Sequence, residues 1–512
     1  MRFRRSAVPS ASAALRGAVL ALACAGAAVP AGAQRPDGLT LDEVLRTTLA
    51  ANADIQSAAW EVERQAAGVR VAHGAFDPQV TATVSSRDER SPLFGAQDVP
   101  GIASTRTLTY GLGVDQPYRS GLVVSPSLAF SRLDAAGQGI GPRNQAVASL
   151  GVTLPLLRGR GGGLAVAGER ASVMLHSASA SALDYRRSAA LLAAVEAYWS
   201  YAAAYARLDV LRQTEERTAR IVAQTQTLVD ADARPRVDLL PVQANLASRR
   251  AARISGERGL IGARQELGRA MGIAPAEVLR LPPPATAFPR GPGAAGIAAD
   301  SGLVRQALRL RPDLEAARRQ RDAARDLLAG YRGETRPRLD LSVTLGYQGL
   351  EAGGELGRLV SPFYSELGGM HTRLELTYGM PLRNRLAGGQ ALQGAAAERQ
   401  AELAYAELRR QVELDAAAAL ETLRSSAAEL AEFGEAARLH ALTLESEQRR
   451  YQLGTSTIFD IIDAEEGLTS ATLAEIEARA RYAVSLARLR HTTGTLSAAG
   501  AADADALTRW ED

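Results

Sequence analysis

From Glu169 to Arg234 the chain runs 66 residues without a glycine or a proline, the two residues that most readily interrupt a helix. At about 1.5 Å per residue such a stretch makes a rod of about 100 Å, far longer than the helices of ordinary globular domains. Leu192, Val195, Trp199 and Ala202 recur at 3-4-3 spacing, and Leu208, Leu211, Val222 and Val229 continue a heptad-like stripe. The pattern predicts coiled-coil packing against a returning helix, with the abundant alanine permitting close approach. A second rod is expected from Ala395 to Leu453, interrupted only by Gly434, with a return arm from Thr455 to Thr493.

The same order of elements occurs twice. Asn52-Ala53-Asp54-Ile55 aligns with Arg311-Pro312-Asp313-Leu314 at a shift of 259 residues, which also carries Asp77-Pro78 onto Arg336-Pro337. A shift of 222 aligns Asp238-Leu239-Leu240 with Asp460-Ile461-Ile462 and Gly272 with Gly494, while Leu154-Pro155-Leu156 pairs with Met380-Pro381-Leu382. Each half therefore reads helix, strands, long helix, turn, long helix. The expected division is a leader at 1–33, a first repeat at 34–272 (strands 79–155, helices 164–272), a linker at 273–302 rich in proline and glycine, a second repeat at 303–496 (strands 337–382, helices 387–494) and a polar tail at 497–512.

The strand segments alternate. Leu339, Leu341, Val343, Leu345 and Tyr347 interleave with Asp340, Ser342, Thr344 and Gly346, and Leu374, Leu376, Tyr378 and Met380 with Arg373, Glu375, Thr377 and Gly379. In the first half Leu150, Val152 and Leu154 and, separately, Val80, Ala82 and Val84 do the same. Half-buried sheets of soluble domains alternate identically, but together with the rods this suits strands crossing an outer membrane. Two strands from each half make four, too few to close a barrel; three copies would supply twelve.

The first 33 residues combine Arg2, Arg4, Arg5 and Arg16, an apolar run from Gly17 to Val29 and Ala31-Gly32-Ala33 as a cleavage site, the three parts of a secretory signal peptide. Cys24, the only cysteine, falls inside it; Ala21-Leu22-Ala23-Cys24 partly matches a lipoprotein signal, with Ala21 where that pattern prefers leucine. With four arginines in the leader, the formal charge of +3 falls to −1 for the rest, which removes the electrostatic basis for binding nucleic acid. The five histidines are scattered and no H-E-x-x-H occurs, so no zinc site is expected. Gly159-Arg160-Gly161-Gly162-Gly163 lacks the lysine of a phosphate loop and reads as a strand-to-helix connection. No cofactor or catalytic constellation is expected, and the chain is read as a non-enzyme.

Tyr451-Gln-Leu-Gly-Thr-Ser-Thr-Ile-Phe-Asp460-Ile-Ile-Asp463-Ala resembles the periplasmic helix-turn-helix signature of the TolC family of outer-membrane efflux proteins, and Leu41-Asp42-Glu43 and Asn52 agree with its opening motifs. The resemblance spans roughly Leu39 to Leu496. It implies a mainly α fold with transmembrane β: two structural repeats, each a strand pair plus a long coiled-coil helical hairpin, in a trimeric 12-stranded β-barrel continuous with a periplasmic α-barrel. It implies a passive exit duct for tripartite efflux or type I secretion, driven by an inner-membrane RND or ABC-type pump through a periplasmic adaptor. It further implies a periplasmic gate in which Asp460 and Asp463 form carboxylate rings whose mutual repulsion raises some pKa values, with Tyr451 and Asp238 holding the tip closed, and an adaptor-docking tip at Leu453, Gly454 and Thr455. A non-transporting periplasmic coiled-coil scaffold is the alternative, which would have no use for lipid-facing strands.

Three departures from the family pattern stand out. Ser456 replaces a tip arginine, and Val237 the threonine before the tip aspartate; Ala231-Asp232-Ala233-Arg234-Pro235 replaces a glycine-containing turn; and the first strand region is longer by about 33 residues. That insertion holds two more alternating stretches, Leu108–Val114 and Leu122–Phe130, joined by Pro117-Tyr118-Arg119-Ser120-Gly121. An extracellular extension of the barrel is expected there, with strands inside the wall as the rival.

Overall fold

A computed structural model describes residues 38–94, 100–136, 140–232, 235–291, 302–353, 360–453 and 455–496. The leader with Cys24, part of the linker, Ala233, Arg234, Gly454 and the tail lie outside the described residues. In chain order the elements are α1 (Leu41–Ala51), α2 (Ala53–His73), β1 (Gln79–Phe94), β2 (Pro100–Pro117), β3 (Val123–Ala136), β4 (Ile140–Pro155), α3 (Gly163–Asp230), α4 (Leu239–Met271), α5 (Pro275–Val278), α6 (Gly302–Leu310), α7 (Pro312–Glu334), β5 (Arg338–Ala352), β6 (Gly368–Gly379), α8 (Arg385–Gln452) and α9 (Ile458–Thr492).

The two rods are α3 and α8, each of 68 residues. α2 and α4 pack along α3, α7 and α9 pack along α8, and α3 also meets α7 and α9, which joins the halves into one helical layer. The shorter helices meet near mid-rod, at joints that repeat. Asn52 caps α2 by accepting from Asp54 N and Ile55 N, and its Nδ2 donates to Ala270 O at 3.0 Å, at the end of α4. Gly272 ends α4 at φ 74°, where an added Cβ would sit 2.7 Å from Ala51 O; Gly494 follows α9 at φ 75°, where one would sit 2.8 Å from Leu310 C. Only glycine combines that φ with such close backbone approach.

The largest core lies beside the first joint. Leu41, Val44 and Leu45 of α1 pack on Leu191, Val195, Tyr198 and Trp199 of α3 and on Leu267 and Met271 of α4. Trp199 stacks on Phe288 at 5.2 Å, Tyr198 Oη donates to Leu39 O, and Tyr201 Oη donates to Pro282 O, each at 3.0 Å. These contacts bind the described part of the linker to α3. Towards the tip the α3 seam becomes polar: Thr214, Thr218 and Thr225 are buried while Val222 is only half-buried. Of the stripe read from the sequence Leu208, Leu211 and Val229 are buried, and between them runs a threonine seam in which each hydroxyl donates to a carbonyl one turn back.

The strands form one antiparallel sheet in the order β1-β2-β3-β4-β5-β6. This corrects two expectations. The first repeat carries four strands, not a pair, and the inserted hairpin is no extracellular extension: β2 pairs with β1 from Gln79↔Asp115 to Phe94↔Pro100, and β3 pairs with β4 from Val123↔Thr153 to Ala135↔Ile140. The reason lies at its turn, which points to the helical end of the sheet. Gly161 N donates to Ser120 O at 3.0 Å, and Arg119 Nε donates to both Glu169 carboxylate oxygens at 2.8 and 3.0 Å while its guanidinium lies 4.8 Å from the Phe76 ring centre.

Gly272→Ala and Gly494→Ala are each expected to destabilise the helical region by about 2 kcal/mol through a positive φ and a backbone clash. Thermal unfolding followed by far-ultraviolet circular dichroism checks this, and equal unfolding of variant and parent would contradict it.

Candidate functional site

Two surfaces are the candidates for the functional site: the faces of the sheet and the tip of the helical hairpins. The register aligns apolar residues on one face across all six strands. One row runs Ala82, Leu112, Leu128, Ala148, Tyr347 and Met370; in the neighbouring row Val80 pairs with Val114, and Leu150 stands between Pro126 and Leu345. On β5 this face spans Leu339 to Tyr347, about 27 Å along the strand and about 20 Å of height at a tilt of about 40°. Leu112, Leu128, Leu150, Leu345 and Leu374 are all exposed within the chain. At the end of the sheet away from the helices, Phe130 meets Phe363 edge-on at 5.8 Å, and Tyr347 lies 6.4 Å from the same ring, an aromatic rim such as borders the lipid-facing band of outer-membrane barrels. The other face carries Thr81, Thr83, Ser127, Ser149, Ser342, Thr344, Arg373 and Glu375. Among the described residues no helix is long and apolar enough to cross a membrane.

At the tip, α8 turns into α9 through a capping box. Thr457 N and Oγ1 both donate to Asp460 Oδ2 at 2.7 Å, and Asp460 N donates to Thr457 Oγ1 at 3.4 Å. Ser456, where the sequence pattern lost an arginine, donates to Asp460 Oδ2 at 3.1 Å and is within 2.8 Å of Glu447 Oε2, whose other oxygen accepts from Arg450 at 2.7 Å. Hydrogen bonds from Thr457 and Ser456 hold the Asp460 carboxyl below the usual aspartate range, aided by the Arg450 charge. Within the single chain Asp460 is thereby committed to capping its own helix.

Asp463 lies one turn on, exposed together with Phe459, Asp460 and Glu466, while Ile461, Ala464 and Glu465 face inward. Tyr451 is half-buried against the cluster of Leu444, Ile461 and Ala464. Asp238 stands at the N-cap of α4, half-buried and without a side-chain capping bond. Leu453 and Thr455 are exposed, with Thr455 N bound to Arg450 O at 2.9 Å; Gly454 lies outside the described residues.

The chain matches the family model described as outer membrane efflux protein over residues 44–273 and 303–495. It belongs to the outer membrane efflux protein family. The TolC-type signature at Tyr451–Asp463 and the repeated architecture are features of that family membership, which gives the chain an outer-membrane location with a periplasmic helical extension. Among solved structures, the Campylobacter jejuni outer membrane channel CmeC is similar at TM-score 0.66 and 15% identity over 89% of this chain and 86% of that one. The outer-membrane channel OprN is similar at TM-score 0.65 and 18% identity over 89% and 90%, and the Vibrio cholerae outer membrane protein VceC at 0.64 and 16% over 89% and 96%. No curated protein matches the chain.

One residue of this efflux family member is not singled out by its sequence context. Glu465 is 1% exposed between the hairpins, its Oε1 3.4 Å from Arg217 Nε on α3 and its Oε2 3.5 Å from Thr218 Oγ1. Burial pushes its carboxyl up, and Arg217 and Arg249 pull it back. A raised folded-state value means that Glu465 contributes stability fully below the ordinary glutamate range, which is lost as pH rises through the raised value. Asp460 behaves oppositely: its contribution is present above the ordinary aspartate range and is lost as pH falls through the lowered value.

Thr457→Ala is expected to cost about 1 kcal/mol at the tip, read as roughly fivefold faster amide exchange over residues 457–463; unchanged exchange would contradict the cap. Glu465→Ala leaves Arg217 facing an empty seam and is expected to cost about 2 kcal/mol, whereas Glu465→Gln is expected to lose less and to flatten the dependence of hairpin stability on pH, measured by melting between pH 4 and 8.

Proposed function

We propose that three copies of this chain form a passive exit duct of an efflux or secretion system, opening through the outer membrane and reaching down through the periplasm to an adaptor and an inner-membrane pump of RND or ABC type. The observation that carries this reading is the apolar band running unbroken over six strands, mounted on helices of 68 residues. A soluble scaffold would need the helices but would have no use for the band. At about 1.5 Å per residue those helices reach about 100 Å, a span suited to meeting partners across the periplasm.

In this reading the tip is the gate. Asp463 and Glu466 stand exposed on one side of α9 beside Asp460, and around a threefold axis they would supply carboxylates that favour cations. Tyr451 and Asp238 are the residues proposed to hold neighbouring hairpins together. Val237, Leu240, Leu453 and Phe459 are exposed and apolar at the two hairpin ends, which supports Leu453, Gly454 and Thr455 as part of an adaptor-docking rim. Family membership supports a channel in place of an enzyme.

Purified protein in planar bilayers is expected to conduct ions as a trimer, and Asp463→Asn is expected to lower its cation-over-anion preference several-fold. A stable, detergent-free monomer without conductance would overturn the duct; a conducting trimer whose selectivity ignores Asp463 would overturn only the gate assignment.

A further inference from the structure

We propose that the hairpin β2–β3 is a structural part of the outer-membrane wall, and that the assembled channel therefore has an eighteen-stranded cylinder instead of a twelve-stranded one. The inference rests on the trimeric duct proposed above. Each chain brings six hydrogen-bonded strands, so three copies bring 3 × 6 = 18, with β6 of one copy meeting β1 of the next. Barrel diameter grows roughly in proportion to strand number, so the membrane cylinder would be about half as wide again as one of twelve.

Three independent features of the hairpin favour the wall over a projection into the medium. First, it carries the lipid-facing pattern of its neighbours: Leu108, Tyr110, Leu112 and Val114 on β2 and Val124, Leu128 and Phe130 on β3 fall on the same face as Val84 and Leu150, in register with them. A projecting loop would put these side chains in water. Second, both long edges of the hairpin are used, so removing it from the sheet would leave β1 without a partner in the chain and β4 with one edge unpaired, or force the two together. Unpaired strand edges are not tolerated in hydrocarbon.

Third, the turn is built into the junction between sheet and helices. Glu169, buried on α3, is bound by Arg119 from the turn and lies 3.3 Å from His73 at the end of α2. The glycine run after β4 is shaped to receive this turn: Gly159, Gly161 and Gly162 have φ of 86°, 73° and 82°, and a Cβ on Gly162 would sit 2.5 Å from Arg119 O. The run that reads in the sequence as an ordinary connection is thus the socket of the inserted hairpin.

Single-particle electron microscopy of the full chain in lipid nanodiscs tests this by counting strands. Eighteen, with residues 118–121 at the helical boundary, is the expected result; a trimer with twelve and the hairpin outside the wall would overturn the inference while leaving the duct intact, and failure to trimerise in lipid would overturn the duct itself. Paired cysteines draw the same distinction in native membranes. Under a short thiol cross-linker, Ala82→Cys with Leu112→Cys and Leu128→Cys with Ala148→Cys are expected to bridge. Bridging of Ala82→Cys with Ala148→Cys, which requires β1 beside β4, or of neither expected pair, would overturn it.

Discussion

In a hydrocarbon layer every backbone N–H and C=O must find its partner within protein, and the sheet of this chain ends on two strands, β1 and β6, each with one side unpaired within the chain. The rest of the architecture follows from that requirement. Six strands leave both edges open, and each edge presents the same alternation of lipid-facing and polar residues as the interior strands, so the surface that satisfies β6 is the surface that β1 offers. Closure between copies fixes where the helices stand, because α3 and α8 leave the sheet directly from β4 and β6.

The helical region solves a different problem, that of keeping very long helices parallel without a bulky core. It does so by pairing each rod with two shorter helices joined near mid-rod, and by making the joints alike. Gly272 sits against Ala51 and Asn52 in one half, and Gly494 against Leu310 and Arg311 in the other. Arg311 is buried and paired with Asp313 at 2.7 Å, where the first half uses the Asn52 side chain on Asp54 N and Ala270 O. The two repeats thus reach one geometry with an ion pair in one and an amide cap in the other.

Much of this was legible in the sequence because it depends on local periodicity. Rod lengths followed from the absence of helix breakers, lipid-facing residues from period-two alternation, and the paired joints from the two offsets that align Asn52 with Arg311 and Gly272 with Gly494. What escaped depends on contacts between distant residues. Alternation is identical for a strand in the wall and for one in a projecting hairpin, and the deciding contact, Arg119 with Glu169, links residues 50 apart. Asp460 reads as an acid at a helix start to which the family resemblance gives a gate role, and its engagement by Thr457 and Ser456 is set by the turn between α8 and α9. Glu465 gives only a charged residue on a helix; its burial is set by α3, through Arg217 and Thr218.

The channel depends on one sheet facing two solvents. Cysteines placed singly from position 339 to 347 on β5, with the unsubstituted chain as control for Cys24, can be challenged in intact outer membranes with a water-soluble maleimide and with a lipid-dissolved one. Positions 340, 342, 344 and 346 are predicted to react with the first reagent and 339, 341, 343, 345 and 347 with the second. Uniform reaction of both sets with the water-soluble reagent would mean that no lipid lies against this face, and the channel described here would not exist.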